Sequence, residues 1–431
     1  MNLIEHLKKI YDKNNKPFLI YQNSELKFSD IINEDQINLD IIKQGDVVAL
    51  IGDFNAPSIS ILLRLIDLKT IIVPLTIETK NTHEYFFESA LVDVIIHNGK
   101  IKRRKHNKNH ILITNLRQKS HSGLILFSTG TTGRPKAILH DMTMFLERFK
   151  TPRPTLKMIN FLLFDHIGGI NTLLHTIFNR GVVVAPTDRN VDSILENCAK
   201  YKVEVLPTTP TFLRLMLLSG AVPSKIPESL KIITYGTERM DQSTLDELCK
   251  LLPNVDFRQT YGMSELGIVR VKSKSRNSLY MKIGGEGVET KIENKVLKIL
   301  SKTRMTGYLN AESPFSEDGW YDTQDIVEEQ NGFIKITGRI GDVINVGGLK
   351  FMASEVERVA LMYPDVGLVK AYAKDNPLTG QHVEILINSV SKNIIDKQTI
   401  KNHFSSHLPP HMVPKRIIFD EMKISHRFKK I

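Results

Sequence analysis

The chain has 431 residues, of which 41% are hydrophobic and 24% are charged, and its formal net charge is +11 at pH 7. This length and composition exclude a fibrous or disordered protein and predict a soluble globular protein of two or three domains. The most apolar stretches, 59–75 and 159–178, contain charged residues or histidines, so we expect no membrane span and a cytoplasmic protein. Cys198 and Cys249 are the only cysteines, which predicts neither a disulfide framework nor a zinc site.

In chain order, short apolar runs alternate with helix-like patterns, which is typical of βαβ units and largely parallel sheets. The runs predict strands at 47–51, 70–73, 92–96, 124–127, 182–185, 203–206 and 231–234. Spacing of 3.6 residues predicts helices at 58–68, 170–179, 191–201 and 210–218. The fold class predicted for this part is a large α/β domain of mixed and parallel sheets with flanking helices.

After Gly338 the pattern changes to a small α+β unit with a glycine-rich turn at Gly347 and Gly348. Helices are predicted at 354–362 and 396–407, and strands at 366–372, 383–388 and 416–419. We therefore expect two domains, 1–339 and 340–431.

The positive net charge raises the question of nucleic-acid binding. The densest basic run, 102–108, has no interleaved aromatic side chains on which bases could stack, so we expect a surface loop there and no nucleic-acid partner. Residues 391–431 carry nine Lys or Arg against three acids. This excess suits a negatively charged partner such as a nucleotide, coenzyme A or an acidic carrier protein.

A loop rich in glycine and hydroxyl groups follows the predicted strand 124–127. Its sequence is Ser128-Thr129-Gly130-Thr131-Thr132-Gly133-Arg134-Pro135-Lys136. Glycines let backbone N–H groups approach an anion closely, and a lysine adds a point charge, so the loop suits a polyphosphate. It is not a Walker A loop, because Ala137 stands where that motif needs Ser or Thr.

This loop resembles the phosphate loop of the adenylate-forming (AMP-binding) superfamily of acyl-CoA synthetases, aryl-acid ligases, peptide-synthetase adenylation domains and luciferases. Further segments resemble that superfamily in the same order: Tyr235-Gly236-Thr237-Glu238, Tyr261-Gly262-Met263-Ser264-Glu265, Trp320-Tyr321-Asp322-Thr323-Gln324-Asp325, and Gly338-Arg339. The resemblance implies ATP and Mg²⁺ as cofactors, and a small C-terminal domain that is mobile. It extends over the whole chain and is strongest after residue 120.

The resemblance implies a role for each segment. Gly236, Thr237 and Glu238 would form an adenine wall, and Tyr261 and Gly262 open the next nucleotide-binding segment. Glu265 would hold Mg²⁺ while Ser264 reaches a phosphate oxygen, which suits the preference of a hard cation for oxygen ligands. Asp325 would accept the ribose hydroxyls, with Arg339 as an added donor.

The segment Phe164-Asp165-His166-Ile167-Gly168-Gly169 resembles the part of acyl- and aryl-CoA ligases that lies near the acyl site. Relatives that activate amino acids carry instead an Asp that binds the α-ammonium group. Because Gly168 and Gly169 follow His166 at the offset of the ligases, we expect a carboxylic acid without an α-ammonium requirement. Asp165, His166 and Gly168 are the predicted substrate residues.

Lys429 is predicted to be the lysine that serves adenylation, with Glu265 and Lys136 as the other catalytic residues. The terminal segment 422–429 matches the length of the superfamily motif and its Ser or Thr, but Phe428 replaces the glycine before the lysine. Other departures are Gln324 in place of a glycine, Gly341 in place of a hinge Asp or Lys, and an abbreviated N-terminal part.

The predicted reaction has two halves: a carboxylate attacks ATP to give acyl-adenylate and pyrophosphate, and a thiol then takes the acyl group. We expect the thiol to be that of coenzyme A, or the phosphopantetheine of a separate acyl carrier protein. The alternatives are loading of an acyl or amino acid onto such a carrier, and a non-catalytic nucleotide-binding relative.

Overall fold

The computed structural model describes residues 2–12, 16–33, 37–128, 134–389 and 395–427. In these ranges the helices α1 to α12 are Leu3–Tyr11, Phe28–Asn33, Ala56–Asp67, His83–Ser89, Ile111–Gln118, Met142–Glu147, Ile167–Phe178, Val191–Lys200, Pro210–Leu218, Gln242–Leu251, Ala353–Leu361 and Lys397–His407. Short 3₁₀ helices lie at Ile77–Thr82 and Ile340–Asp342. None of the helices described has the length and apolar content needed to cross a bilayer.

The strands β1 to β13 are Leu19–Tyr21, Ser24–Leu26, Val47–Ile51, Ile71–Leu75, Val94–His97, Lys100–Arg103, Gly123–Phe127, Ala137–Asp141, Lys157–Ile159, Val182–Ala185, Val205–Thr208, Ile232–Tyr235 and Asp256–Gln259. The strands β14 to β26 are Tyr261–Met263, Gly267–Ser273, Met281–Gly284, Val288–Glu293, Val296–Ser301, Gly307–Tyr308, Tyr321–Gln330, Phe333–Arg339, Val343–Val346, Leu349–Met352, Val366–Asn376, Gly380–Ser389 and Arg416–Phe419.

Two seven-stranded sheets of largely parallel strands form most of the large domain. Their strand orders are β19-β8-β7-β4-β3-β5-β6 and β13-β12-β11-β9-β10-β1-β2. Every residue of β4, β7 and β10 is buried. This burial explains why these strands are continuous apolar runs rather than alternating patterns, since both faces of the sheet are covered. One apolar cluster contains α3 and α7 together with residues of both sheets, such as Leu50 and Val183.

A third seven-stranded sheet, of order β14-β15-β16-β21-β20-β18-β17, follows in the chain and is antiparallel throughout. Its strands are only partly buried; β20 has ten residues, of which three are buried. This sheet was not predicted from the sequence. It carries the residues that the superfamily resemblance assigns to the ribose and to Mg²⁺.

The C-terminal part forms a sheet of order β23-β22-β25-β24, in which β26 pairs in parallel with β25. Helices α11 and α12 contribute Val356 and Phe404 to a separate apolar core with Ile385 of β25. A large domain of mixed and parallel sheets followed by a smaller α+β domain is the predicted fold class, and it is confirmed. The last strand before the small sheet, β21, ends at Arg339, and we retain 340 as the proposed start of the second domain.

Candidate functional site

The predicted phosphate loop begins where β7 ends and returns to the sheet at Lys136. The backbone N–H of Ser128 donates to the Lys136 carbonyl at 3.1 Å, and the Lys136 N–H donates to Ser128 Oγ at 3.0 Å. These two bonds close the base of the loop. The predicted residues inside it, Thr129, Gly130, Thr131, Thr132 and Gly133, lie outside the described part of the chain.

Lys136 and Glu265 both contact Tyr308. The Lys136 ammonium is 4.9 Å from the centre of the Tyr308 ring, and the Tyr308 hydroxyl donates to Glu265 Oε1 at 2.8 Å. Burial and the neighbouring Glu265 carboxylate raise the pKa of Tyr308, so the phenol keeps its proton and remains a donor. A lysine for phosphate and a carboxylate for a cation are therefore brought together around one aromatic side chain.

The segment from Tyr261 to Glu265 turns sharply from β14 towards β15. A Cβ on Gly262 would lie 2.6 Å from the Gly267 carbonyl oxygen and 2.8 Å from Ile268 Cα, so a side chain does not fit there. The Ser264 carbonyl accepts a 2.6 Å hydrogen bond from Nε2 of His140. Burial lowers the pKa of His140 to about 4 even though this bond opposes the shift, so the imidazole is neutral at pH 7 with its proton on Nε2.

Asp325 is the centre of the predicted ribose site. Its buried carboxylate accepts a 2.5 Å bond from the Tyr261 hydroxyl and a 2.9 Å bond from Arg339 Nε, and its own N–H donates to Thr323 Oγ1. Gln324, in the position of the superfamily glycine, has φ = 60°. Glycine adopts this left-handed conformation without strain, which explains why glycine is usual at this position in the superfamily.

Tyr321 connects the ribose group to the Glu265 group. Burial and the Glu265 carboxylate raise the pKa of its phenol, while Arg339 acts in the opposite direction. The segment from Tyr261 to Glu265 also joins the two groups, because Tyr261 donates to Asp325 and Glu265 accepts from Tyr308, so the residues predicted for phosphate, metal and ribose are neighbours. Such a cluster can hold the phosphates, the cation and the sugar of one nucleotide.

The predicted adenine wall follows β12. A Cβ on Gly236 would overlap the Thr260 hydroxyl and lie 2.8 Å from the Thr260 carbonyl oxygen, so a larger residue does not fit. Thr237 has φ = 70°, and its buried hydroxyl has no hydrogen-bond partner within the described residues. A strained β-branched residue with an unsatisfied hydroxyl is typical of a ligand site. Glu238 instead accepts bonds from the Thr211 hydroxyl and N–H at the start of α9.

The predicted acyl segment leads into α7. Nδ1 of His166 accepts a bond from the Gly168 N–H at 3.1 Å, which caps the helix. A Cβ on Gly169 would overlap the Leu163 carbonyl oxygen, so the turn requires a glycine there. Asp165 is 4% exposed, and its Oδ2 accepts a bond from Arg427 Nη2 at 3.2 Å. The C-terminal segment thus contacts the acyl segment.

Comparison with known proteins identifies the family. The family model described as AMP-binding enzyme matches residues 42–314, which is more than half of the chain. The chain belongs to the AMP-binding enzyme family.

Individual relatives of this AMP-binding enzyme are distant in sequence. Acyl-CoA synthetase 7 of Caenorhabditis elegans is 26% identical over 327 residues, covering 68% of this chain and 61% of the relative. The 2-succinylbenzoate–CoA ligase of Bacillus licheniformis is 26% identical over 324 residues, covering 68% of this chain and 65% of the relative. The aligned region thus spans less than two thirds of the length of either relative.

Solved structures agree with the fold of this AMP-binding enzyme over nearly its whole length. The o-succinylbenzoate CoA synthetase (MenE) of Bacillus subtilis, solved in complex with the acyl-adenylate intermediate OSB-AMP, superposes with a TM-score of 0.77 at 18% identity. The superposition covers 99% of this chain and 96% of that one. The similarity shows the fold of this chain.

The donor set of this AMP-binding enzyme fits Mg²⁺ only if nucleotide phosphates complete the coordination. The described residues contain no group of three or more His, Cys, Asp or Glu that could hold a metal. Mg²⁺ is commonly held by one or two carboxylates plus substrate phosphates, which Glu265 allows. The bond from Tyr308 to Oε1 orients this carboxylate, and Oε2 would be the atom that holds the cation.

Sequence reasoning missed three residues that position the site: Tyr308, His140 and Arg427. Arg427 is one of the nine basic residues counted in 391–431, and no spacing in the sequence relates Tyr308 to Glu265 or His140 to Ser264. A tyrosine directly after Gly307, in a stretch with few apolar residues, was the available signal for Tyr308. Lys429 and Phe428 lie outside the described part of the chain.

Proposed function

We propose that this AMP-binding enzyme is an ATP- and Mg²⁺-dependent ligase that converts a carboxylic acid to acyl-AMP, releases pyrophosphate, and passes the acyl group to coenzyme A. The observation that carries the proposal is the single cluster of Lys136, Tyr308 and Glu265 with Tyr261, Asp325 and Arg339. It combines groups for polyphosphate, for a cation and for a ribose.

The first half-reaction needs little covalent work from the protein. The acid oxygen attacks the α-phosphate in line with departing pyrophosphate, so catalysis rests on positioning and on neutralising charge. Mg²⁺, when bound, neutralises part of the triphosphate charge. Lys136 supplies a positive charge beside it, and Tyr308 holds the Glu265 carboxylate in one orientation. Asp325, fixed by Tyr261 and Arg339, would accept the ribose hydroxyls.

The acid is proposed to lack an α-ammonium group. A carboxylate at the acyl site could bind an ammonium, but Asp165 already has a cationic partner, because Arg427 Nη2 lies 3.2 Å from its Oδ2. Binding of an ammonium ion would have to compete with this buried guanidinium. A fatty, hydroxy or aryl acid makes no such demand, and this favours the acyl or aryl interpretation.

Acid-dependent exchange of pyrophosphate into ATP tests the first half-reaction. A panel of fatty, hydroxy and aryl acids should include at least one that stimulates exchange in the presence of Mg²⁺, while the proteinogenic amino acids should not. Stimulation by amino acids alone would contradict the proposed acid class and make Asp165 the ammonium ligand. Tight ATP binding without exchange for any acid would favour the non-catalytic nucleotide-binding alternative.

The acceptor is tested separately. Coenzyme A is proposed because exposed Lys397, Lys401, Lys415 and Arg416 give the C-terminal part a positive surface that suits its phosphates. The same charges would suit an acidic carrier protein. Mass spectrometry should detect acyl-CoA after incubation with acid, ATP and coenzyme A. Acyl-adenylate that persists with coenzyme A but is discharged onto a phosphopantetheinylated carrier would establish the carrier alternative.

A further inference from the structure

Asp165 and Arg427 form an ion pair that joins segments 262 positions apart in the sequence. Their side chains are 4% and 9% exposed, so both charges are nearly removed from water. The remaining atoms Asp165 Oδ1 and Arg427 Nε are buried and have no hydrogen-bond partner in the described part of the chain. Each charge therefore depends on the other for its compensation, because an unpaired charge in this environment is strongly unfavourable.

The pair lies at the contact between the two domains. Asp165 belongs to the loop between β9 and α7 of the large domain, directly before His166, whereas Arg427 follows β26 of the small domain. A second set of contacts lies elsewhere: Arg214 of α9 donates to the carbonyls of Val366 and Gly367 at the start of β24, at 3.0 and 3.2 Å. Of these contacts, the Asp165–Arg427 pair is the one that connects the C-terminal segment with the acyl segment.

The glycine-rich turn between β22 and β23 is exposed to solvent, in contrast to the buried Asp165–Arg427 pair. Gly347 and Gly348 are exposed, and a Cβ built on either would meet no atom within 4 Å. Arg427 thus lies against the large domain while the glycine-rich turn lies in solvent, and the superfamily resemblance implies that the small domain is mobile. Exchange of these two segments at the acyl site would require the Asp165–Arg427 pair to break.

We propose that the Asp165–Arg427 ion pair is a positioning device that holds the small domain in the orientation for acyl-adenylate formation and opens before the acyl group is transferred. The inference rests on the proposed two-step function. Arg427 acts through orientation of the terminal segment, in which Lys429 follows it by two positions in the sequence, and makes no contact with reacting atoms. Asp165 serves as its anchor rather than as a ligand of the acid.

Separate measurement of the two half-reactions distinguishes a positioning role of the Asp165–Arg427 pair from a purely structural role. Arg427→Met and Asp165→Asn should each slow acid-dependent ATP–pyrophosphate exchange by roughly ten- to a hundredfold through kcat, because a small misplacement of reacting groups costs about this much. Conversion of supplied acyl-adenylate to thioester should stay at the parent rate or increase. The double variant should be no slower than the slower single variant, since both changes remove one interaction. Lys374→Met, which removes an exposed cation of the small domain outside the surface proposed for coenzyme A, is the matched control and should change neither rate.

A measurement of domain orientation keeps the inference separate from the proposed function. Spin labels on cysteines at Met144 and Leu378, which are 49% and 94% exposed, report the distance between the domains. Cys249 is replaced by serine, and Cys198 is buried and does not take a label. The parent should give one narrow distance, and Arg427→Met should broaden it or add a second distance, whereas Lys374→Met should not.

Three results would overturn the inference. The first is an equal loss of both half-reactions in the variants with an unchanged label distance, and the second is no change in either half-reaction. The third is a higher KM for the acid in Asp165→Asn while Arg427→Met keeps the parent KM, which would make Asp165 an acid ligand. If the parent shows no exchange with any acid, the proposed function fails. Broadening of the label distance in Arg427→Met would then still support the pair as the device that fixes domain orientation.

Discussion

The hydroxyl of Tyr308 donates a 2.8 Å hydrogen bond to Oε1 of Glu265, and its ring lies under the ammonium group of Lys136. The two residues are 43 positions apart in the sequence, and Glu265 is the carboxylate proposed to hold Mg²⁺. A buried phenol with a raised pKa can serve here only as a donor, so its effect is to fix one carboxylate oxygen, and the other oxygen is the one proposed to bind the cation.

Tyr308→Phe should therefore weaken the binding of Mg²⁺ during pyrophosphate exchange without disturbing the fold. The ring that lies under Lys136 is kept, and one hydrogen bond to a charged group is lost, which is worth about 1.5–3 kcal/mol. We expect pyrophosphate exchange to fall about tenfold or more and the Mg²⁺ concentration for half-maximal rate to rise. Tyr280→Phe is the matched control, because the Tyr280 hydroxyl contacts Glu328 at an exposed site. An unchanged Mg²⁺ dependence would remove Tyr308 from the proposed metal site.

His140 should make the large domain sensitive to acid. Its pKa is lowered to about 4 in the folded chain, mainly by burial, from 6.5 when exposed. Between these values the unfolded state binds more protons, so the free energy of unfolding falls as the pH falls from about 6.5 to 4, by about 3 kcal/mol in total. His140→Gln keeps a donor for the Ser264 carbonyl but cannot titrate.

Urea unfolding followed by the fluorescence of Trp320, the one tryptophan of the sequence, measures this effect. Between pH 7.5 and 4.5 the parent should lose more stability than His140→Gln, while other titrating groups contribute equally to both proteins. Parallel losses in the two proteins would show that the buried imidazole is not the source.

Gln324 replaces the superfamily glycine at a position where the backbone is in the left-handed conformation. Its φ of 60° carries a strain of about 1 kcal/mol for a residue with a side chain, and glycine avoids that strain. Gln324→Gly should therefore raise the free energy of unfolding by up to about 1 kcal/mol. Glu329→Gly is the control in the same strand, and should lower stability by about 0.5–1 kcal/mol because Glu329 has ordinary strand geometry. Destabilisation by both glycines would mean that Gln324 makes a compensating contact.

The sequence predicts the parts of the fold that are covered on both faces. The strands Val47–Ile51 and Val182–Ala185 were predicted with the bounds that the structure has, because nearly continuous burial selects continuous apolar residues. The helix Pro210–Leu218 was also predicted with its observed bounds, from the 3.6-residue spacing of its apolar positions. The strand predicted at 203–206 lies at Val205–Thr208, two residues later. The antiparallel sheet was missed because half-exposed strands such as Tyr321–Gln330 mix acidic and apolar residues without a clear run.

The candidate site, like the fold, can be predicted from the sequence only in part. The order of short motifs indicates which segments serve the nucleotide, since each motif is local and chemically distinctive. Pairing between distant segments, such as Asp165 with Arg427, leaves no local pattern, because one acidic and one basic residue are compatible with many partners. Only the fold brings them together.

Lys429 remains a prediction from the sequence, since residues 428–431 lie outside the described part of the chain. A lysine that reaches both the carboxylate and the α-phosphate stabilises charge that develops only in the transition state, and loss of one such contact costs about 10² to 10³ in rate. Lys429→Ala should therefore reduce pyrophosphate exchange by about this factor with little change in ATP binding. Conversion of supplied acyl-adenylate to thioester should remain near the parent rate, because the second half-reaction is proposed to use the other domain orientation.

Lys430→Ala is the matched control for this lysine and should change neither half-reaction. The two variants also test the alignment of the terminal segment, in which Phe428 replaces the expected glycine. If Lys430→Ala slowed exchange and Lys429→Ala did not, the catalytic lysine would be one position later than predicted. If neither variant slowed exchange in a parent that exchanges pyrophosphate, adenylation would depend on the cluster around Lys136 and Glu265 without a terminal lysine. The Asp165–Arg427 pair would then no longer serve to position Lys429 for adenylation.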